Sequence, residues 1–234
     1  MQAGEQQVTT TPYNPLEKIH LAESIVRAIL GSEVRPLSET SHLVGAGVYV
    51  IYYAGKLPMY TQVSKRNVNG DFNQPLYIGK AIPKGGRKGS FSDDAAAKGT
   101  ALRDRLGQHL TSVTEGKGLR PEDFYFRSLM VDDIWIPLGE NMLIEHFKPV
   151  WNLVIDGFGN KDPGKRRKDQ YASPWDVIHP GRKFTTKLGE NPIPASDFIV
   201  ALRTFFADGK VVKPKKPPTT KGTPQTDSDE LPSE

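Results

Sequence analysis

A few side chains in this 234-residue chain have the types and spacing that chemistry on a phosphate ester would use. Tyr49 closes the tripeptide Gly47-Val48-Tyr49, Tyr77 opens Tyr77-Ile78-Gly79, and Lys80 follows directly. Arg105 and His109 stand four residues apart, which on a helix places them on one face. Glu140 is followed twelve residues later by Asn152. Hydrolysing a phosphodiester requires an activated water, neutralisation of charge on the phosphoryl oxygens and help for the leaving oxygen. Tyr49 can serve as base or relay for the water if a neighbour lowers its pKa from about 10. Lys80 is a candidate neighbour, because a cation favours phenolate. Arg105 offers a planar fork to two phosphate oxygens, and Glu140 a hard oxygen to a divalent cation.

Each residue also has an ordinary reading. The tyrosines can be strand aromatics packed on a core, Arg105 and His109 a solvated helix face, Glu140 a first-turn carboxylate suited to the helix dipole, and Asn152 a turn residue. Glu140 fits its ordinary reading least well. It shares a helical face with Leu143, Ile144 and Phe147, and a carboxylate at the rim of an apolar face needs a partner, which a metal would be. His20, His42, His146 and His179 have no metal-ligand spacing and read as structural or surface residues.

The elements that must position these groups follow from pattern. Asn14 as N-cap and Pro15 at the first helical position open a helix with Leu16, Ile19, Leu21, Ile25, Ala28 and Ile29 as its stripe, ended by Gly31. Gly47–Tyr53 (GVYVIYY), Pro75–Ala81 (PLYIGKA) and Phe124–Val131 (FYFRSLMV) are rich in β-branched and aromatic residues and predict three strands. Residues 54–74, with scattered Gly, Pro and Asn, read as an inserted loop. Helices are expected over Ala95–Leu110, over Leu138–Lys148 with Pro149 as the stop, and over Ser196–Phe206 capped by Ser196. The basic loops holding Lys84, Arg87 and Lys88, and Lys165, Arg166 and Arg167, are candidates for phosphate contacts and otherwise solvated surface. Lys84–Lys88 lacks the GxxxxGK[ST] order of a nucleotide cradle. No internal repeat occurs. The expectation is one α/β (α+β) domain over 1–208, with its core at about 45–155, a helical extension over 160–208, and a disordered Lys/Pro/Thr and acidic tail over 209–234.

Composition bounds the function classes. With 37% hydrophobic and 25% charged residues the chain is ordinary for a globular protein. It contains no cysteine, which excludes disulfides, zinc–thiolate sites and a cysteine nucleophile. No apolar run reaches the roughly 18 residues of a membrane span, and the N-terminus lacks a secretory pattern, so a cytoplasmic protein is expected. The net charge of +4 modestly favours polyanionic partners.

The two tyrosine motifs, in order and on adjacent predicted strands, resemble the GIY and YIG signatures of the GIY-YIG nuclease superfamily, with Val48 in place of the usual Ile. Arg105 matches the family arginine on the following helix, and His109 a histidine that the restriction-enzyme branch adds one turn later. Glu140 with Leu143-Ile144, Pro149 and Asn152 resembles the family's glutamate, Leu-Ile pair, proline and asparagine. The match covers about 47–152, and the long spacing between the motifs is like the restriction branch. Residues outside it resemble, more loosely, restriction enzymes of the SacII isoschizomer group, which cut CCGCGG.

The resemblance implies a small sheet of three strands, antiparallel or mixed, flanked by helices. It implies a type II endonuclease using one Mg²⁺ (or Mn²⁺) per site on Glu140, and catalytic roles for Tyr49, Tyr77, Lys80, Arg105, His109, Glu140 and Asn152. Which of Tyr49, Lys80 or His109 finally accepts the proton stays open. The implied partners are palindromic, G/C-rich double-stranded DNA, a second copy of the chain and, genetically, a methyltransferase. A repair or mobile-element nuclease, or a DNA-binding module without catalysis, is the alternative. All of this requires the groups to converge, with Glu140 on the same side of the sheet as Tyr49.

Overall fold

The computed structural model describes Asn14 and residues 17–83, 99–164 and 170–215. The candidate DNA contacts Lys84, Arg87, Lys88, Lys165, Arg166 and Arg167 lie outside the described residues, as do 216–234 of the expected tail.

Four antiparallel strands form the sheet: β1 (Arg35–Pro36), β2 (Gly47–Tyr53), β3 (Pro75–Ala81) and β4 (Phe124–Met130), in the order β1-β4-β2-β3. The fourth strand, absent from the three-strand expectation, is the two-residue edge β1, too short to leave a periodic signal. Around the sheet stand α1 (Lys18–Gly31), α2 (Thr61–Ser64), α3 (Ala101–Glu115), α4 (Ile136–Phe147), α5 (Val150–Leu153), α6 (Pro174–Ile178) and α7 (Ala195–Asp208). No helix among the described residues is long and apolar enough to cross a membrane.

β2 is an interior strand, and all seven of its residues are buried. This is why its sequence reads as an unbroken apolar and aromatic run. Alternation then separates two faces. Tyr49, Ile51 and Tyr53 join Tyr77 in a core with Leu102, Leu106 and Val113 of α3. Val48, Val50 and Tyr52 join Ile78 on the opposite face, against Val26 and Ile29 of α1 and Ile136 and Leu143 of α4.

Several helix ends differ from expectation. α1 begins at Lys18 behind Glu17, so Asn14 is not its N-cap. Its inward stripe is Ile25, Val26, Ile29 and Leu30, while Ile19 is exposed. Residues 95–98 of the expected Ala95–Leu110 helix lie outside the described residues; α3 starts at Ala101 and runs on past Leu110 to Glu115. Pro194 rather than Ser196 caps α7, and Gly209 ends it in the left-handed conformation. Glu140 lies in the second turn of α4, since that helix starts at Ile136, and no acid sits in its first turn. The macrodipole therefore does not account for Glu140.

The segment 54–74 packs rather than loops out. Tyr60, Val63, Ser64 and Asn67 are buried. The Asn67 amide donates to Tyr53 O at 3.0 Å and Gln74 O at 2.8 Å, and accepts from Gln74 N at 2.9 Å. One side chain thereby ties together the end of β2 and the start of β3.

Candidate active site

Tyr49 is paired with Gly79 across the β2–β3 ladder, and its ring projects over that glycine. A Cβ at position 79 would sit 2.6 Å from Tyr49 Cζ and 2.9 Å from Tyr77 Cε1. The glycine gives the two phenols room on one face of two neighbouring strands, with ring centroids 6.4 Å apart.

α3 brings the next groups to the same face. His109 is buried and its Nε2 lies 2.7 Å from the Tyr49 hydroxyl. Its ring stacks on Phe158, with centroids 4.4 Å apart and planes 20° apart. Phe158 also meets Tyr77 edge-on at 5.0 Å. One turn before His109, Arg105 donates through Nη2 to Gly159 O at 2.7 Å and through Nη1 to Gln108 Oε1 at 3.2 Å. The fork expected to be open for phosphate is thus engaged within the protein.

Burial, and then the neighbouring Tyr77, hold the Tyr49 phenol well above its ordinary pKa, and the Arg105 charge opposes this only in part. Tyr77 is raised chiefly by burial too. Burial holds His109 well below the ordinary imidazole range, with the charges of Arg105, Arg182 and Lys161 acting in the same direction. The pair is therefore a neutral phenol against a neutral imidazole. The expectation that Lys80 lowers the Tyr49 pKa is corrected: the cation acting on Tyr49 is Arg105, and the net shift is upward.

Lys80 instead pairs with Glu140, its Nζ 2.5 Å from Oε2. The structure also corrects the expectation about sides of the sheet. α4 packs on the Val48 face: a Cβ on Gly139 would touch Val48 Cγ1 at 3.4 Å. Glu140 thus comes from the layer opposite the one Tyr49 faces. The requirement that Glu140 share a side of the sheet with Tyr49 is therefore not met; its carboxylate instead reaches Lys80 at the β3 edge, near enough that its charge raises both Tyr49 and Tyr77 around that edge. Lys80 and Glu140 meet at β3, which is an edge strand.

Asn152 is a strand clasp. Its Oδ1 accepts from Ile78 N and its Nδ2 donates to Ile78 O, both at 2.8 Å. The side chain completes the open edge of β3 at the residue between Tyr77 and Gly79, holding the strand that carries the second tyrosine motif. Glu140 is 16% exposed, with Oε2 on Lys80. One hard carboxylate oxygen suits Mg²⁺, an ion that keeps several waters and needs few protein ligands. Among the described residues no group of three or more His, Asp or Glu could form a closed site.

The sequence reading missed Phe158, Gly159, Asp176 and Arg182. Ser173-Pro174-Trp175-Asp176 does carry a local signal, a capping box, and the structure forms it. The pairing of Asp176 with Arg182, and the approach of residues 157–160 to α3, have no local signature. His179, read as structural or surface, is buried: its Nε2 is 2.7 Å from the Tyr60 hydroxyl and its Nδ1 is 3.1 Å from Lys117 O.

Comparison with curated proteins gives no match. The family model described as the Eco29kI GIY-YIG domain matches residues 41–204, a span that takes in both tyrosine strands, α3, α4 and the Arg182 segment. Spanning more than two thirds of the sequence, that match places this chain in the Eco29kI GIY-YIG domain family, a restriction-type nuclease family.

Proposed function

We propose that the protein is a type II restriction endonuclease that cuts double-stranded DNA at a specific site, with Tyr49 and His109 as its proton-transfer pair. The observation that carries this reading is the 2.7 Å contact between the buried Tyr49 hydroxyl and His109 Nε2. With its proton on Nδ1, a neutral His109 presents Nε2 as an acceptor. Tyr49 then takes a proton from the attacking water while passing its own to His109, so no free phenolate is needed. As the water oxygen bonds to phosphorus, the bond from phosphorus to the leaving oxygen breaks.

Arg105 neutralises the phosphoryl oxygens, a DNA phosphate replacing the Gly159 carbonyl on its fork. Glu140 would hold one Mg²⁺ (or Mn²⁺), which supplies Lewis-acid stabilisation of the phosphoryl charge and the leaving oxygen when bound. Lys80 orients the Glu140 carboxylate, and Asn152 keeps β3 in register. A palindromic, G/C-rich site cut by a homodimer fits the two-fold logic of such sites. The looser likeness to the SacII isoschizomer group points to CCGCGG, and a methyltransferase would protect the host.

Incubating the full chain with plasmid and Mg²⁺ tests this. Discrete fragments, abolished in Glu140→Ala, are expected. Random degradation, or cutting confined to branched or damaged DNA, would replace the restriction role with a repair role. Tight binding in Ca²⁺ without cutting in Mg²⁺ would leave a binding module only.

A further inference from the structure

Arg182 is 1% exposed and uses all five of its N–H donors. Nε and Nη2 donate side by side to the two Asp176 carboxylate oxygens at 2.7 and 2.8 Å. Nη2 also donates to Gly157 O at 2.9 Å, and Nη1 to Phe158 O at 3.1 Å and Asn160 O at 3.3 Å. The rings of Trp175 and Phe184 flank the guanidinium, with centroids 4.6 and 4.7 Å away. Asp176 is fixed in turn by Ser173, whose Oγ donates to Oδ2 at 2.6 Å.

Three of the five Arg182 bonds converge on one turn, residues 157–160. That turn supplies the Phe158 ring against His109 and Tyr77, and the carbonyl that receives Arg105. A buried bidentate pair is by itself weak evidence of stabilisation. What distinguishes this one is where its remaining donors go.

We propose that Arg182 is a positioning residue for the nuclease site: by clamping the 157–160 turn it sets the orientation of the His109 ring through Phe158, and presents the Gly159 carbonyl that holds Arg105 until a phosphate replaces it. The inference rests on the nuclease reading above. Arg182 touches none of the reacting groups; its charge reaches His109, but lysine keeps that charge, so what the substitution removes is the hold on the turn. Lysine cannot replace it, because an ammonium has three donors and no planar fork.

The test uses Arg182→Lys in the full chain beside wild type, with three measurements: Ca²⁺-dependent DNA affinity, single-turnover cleavage in Mg²⁺, and the NMR shifts of the His109 ring protons, which report its stacking on Phe158. Expected are affinity within about twofold of wild type, cleavage slower by about tenfold or more, as a displaced positioning element produces, and His109 shifts moved away from their wild-type values. Cleavage at or above the wild-type rate would overturn the inference, as would slower cleavage with His109 shifts unmoved. Should Arg182→Lys not fold, Asp176→Asn, which keeps one acceptor, is read in the same way. If neither folds, Arg182 is a folding staple and the inference is lost. If wild type itself fails to cut, the nuclease reading falls, while the NMR comparison still decides whether Arg182 orients His109.

Discussion

The Tyr49 ring occupies the space that any side chain at Gly79 would need, and the two residues face each other directly across the β2–β3 ladder. The glycine of the second motif is thus explained by the tyrosine of the first. Gly79→Ala should drive its methyl into Tyr49 Cζ, 2.6 Å from the ideal Cβ position. A buried ring packed on both sides has little room to yield, so overpacking should cost about 1–3 kcal/mol in chemical denaturation. Displacing the hydroxyl from His109 should slow cleavage by about a hundredfold. Wild-type stability and rate in this variant would show that the ring has somewhere else to go.

Tyr49→Phe removes only the hydroxyl. The ring still fills its place, so the fold should persist with a loss of about 1–3 kcal/mol for the hydrogen bond denied to buried His109. DNA affinity in Ca²⁺ should stay near wild type, while single-turnover cleavage falls by about 10²–10⁴. A variant that cuts normally would remove Tyr49 from the proton path.

Much of this site was legible in sequence because its parts sit on elements with strong local signals. β2 and β3 keep their predicted bounds, since a strand buried on both faces needs a continuous run of β-branched and aromatic residues, and such a run is easily read. Arg105 and His109 share a face through simple helical spacing. Local pattern did not reveal how layers meet: Glu140 belongs to a helix on the far face and finds Lys80 at the strand edge. Nor did spacing hint that burial would outweigh every cation near Tyr49. Arg182 reads as one basic residue among many, and only tertiary packing gives it Asp176 and three carbonyls.

Arg105 should tolerate neither loss nor simple replacement of its charge. It already spans Gly159 O and Gln108 Oε1 with two separate nitrogens, and the same spread suits two phosphate oxygens. Arg105→Ala should slow cleavage more than Arg105→Lys, and both should fall below wild type, because a point charge keeps attraction but loses the fork. Cleavage by Arg105→Lys at the wild-type rate would argue against a two-pronged contact.

His179 makes the stability of the fold depend on pH. Burial pushes its pKa down from 6.5 to about 4, and its ring is fully engaged: Trp151 donates to the Tyr60 oxygen at 2.9 Å, the Tyr60 hydroxyl lies on Nε2, and Nδ1 faces the Lys117 carbonyl. Above about pH 6.5 the ring is neutral in both folded and unfolded chains and adds no pH dependence. As pH falls from 6.5 toward 4, the unfolded chain binds a proton that the folded chain refuses, so stability must decline through that window and level off below it. The depression corresponds to about 3 kcal/mol. Buried His109 is shifted in the same direction and adds to the slope. Urea denaturation of wild type at pH 7 and pH 4.5 should show the loss, and His179→Gln, which cannot titrate, should lose less stability over the same interval even if it starts out weaker. Parallel pH profiles for the two proteins would mean that His179 accepts its proton in the folded state as readily as in the unfolded one, and that the Tyr60–His179–Lys117 chain does not hold the ring neutral.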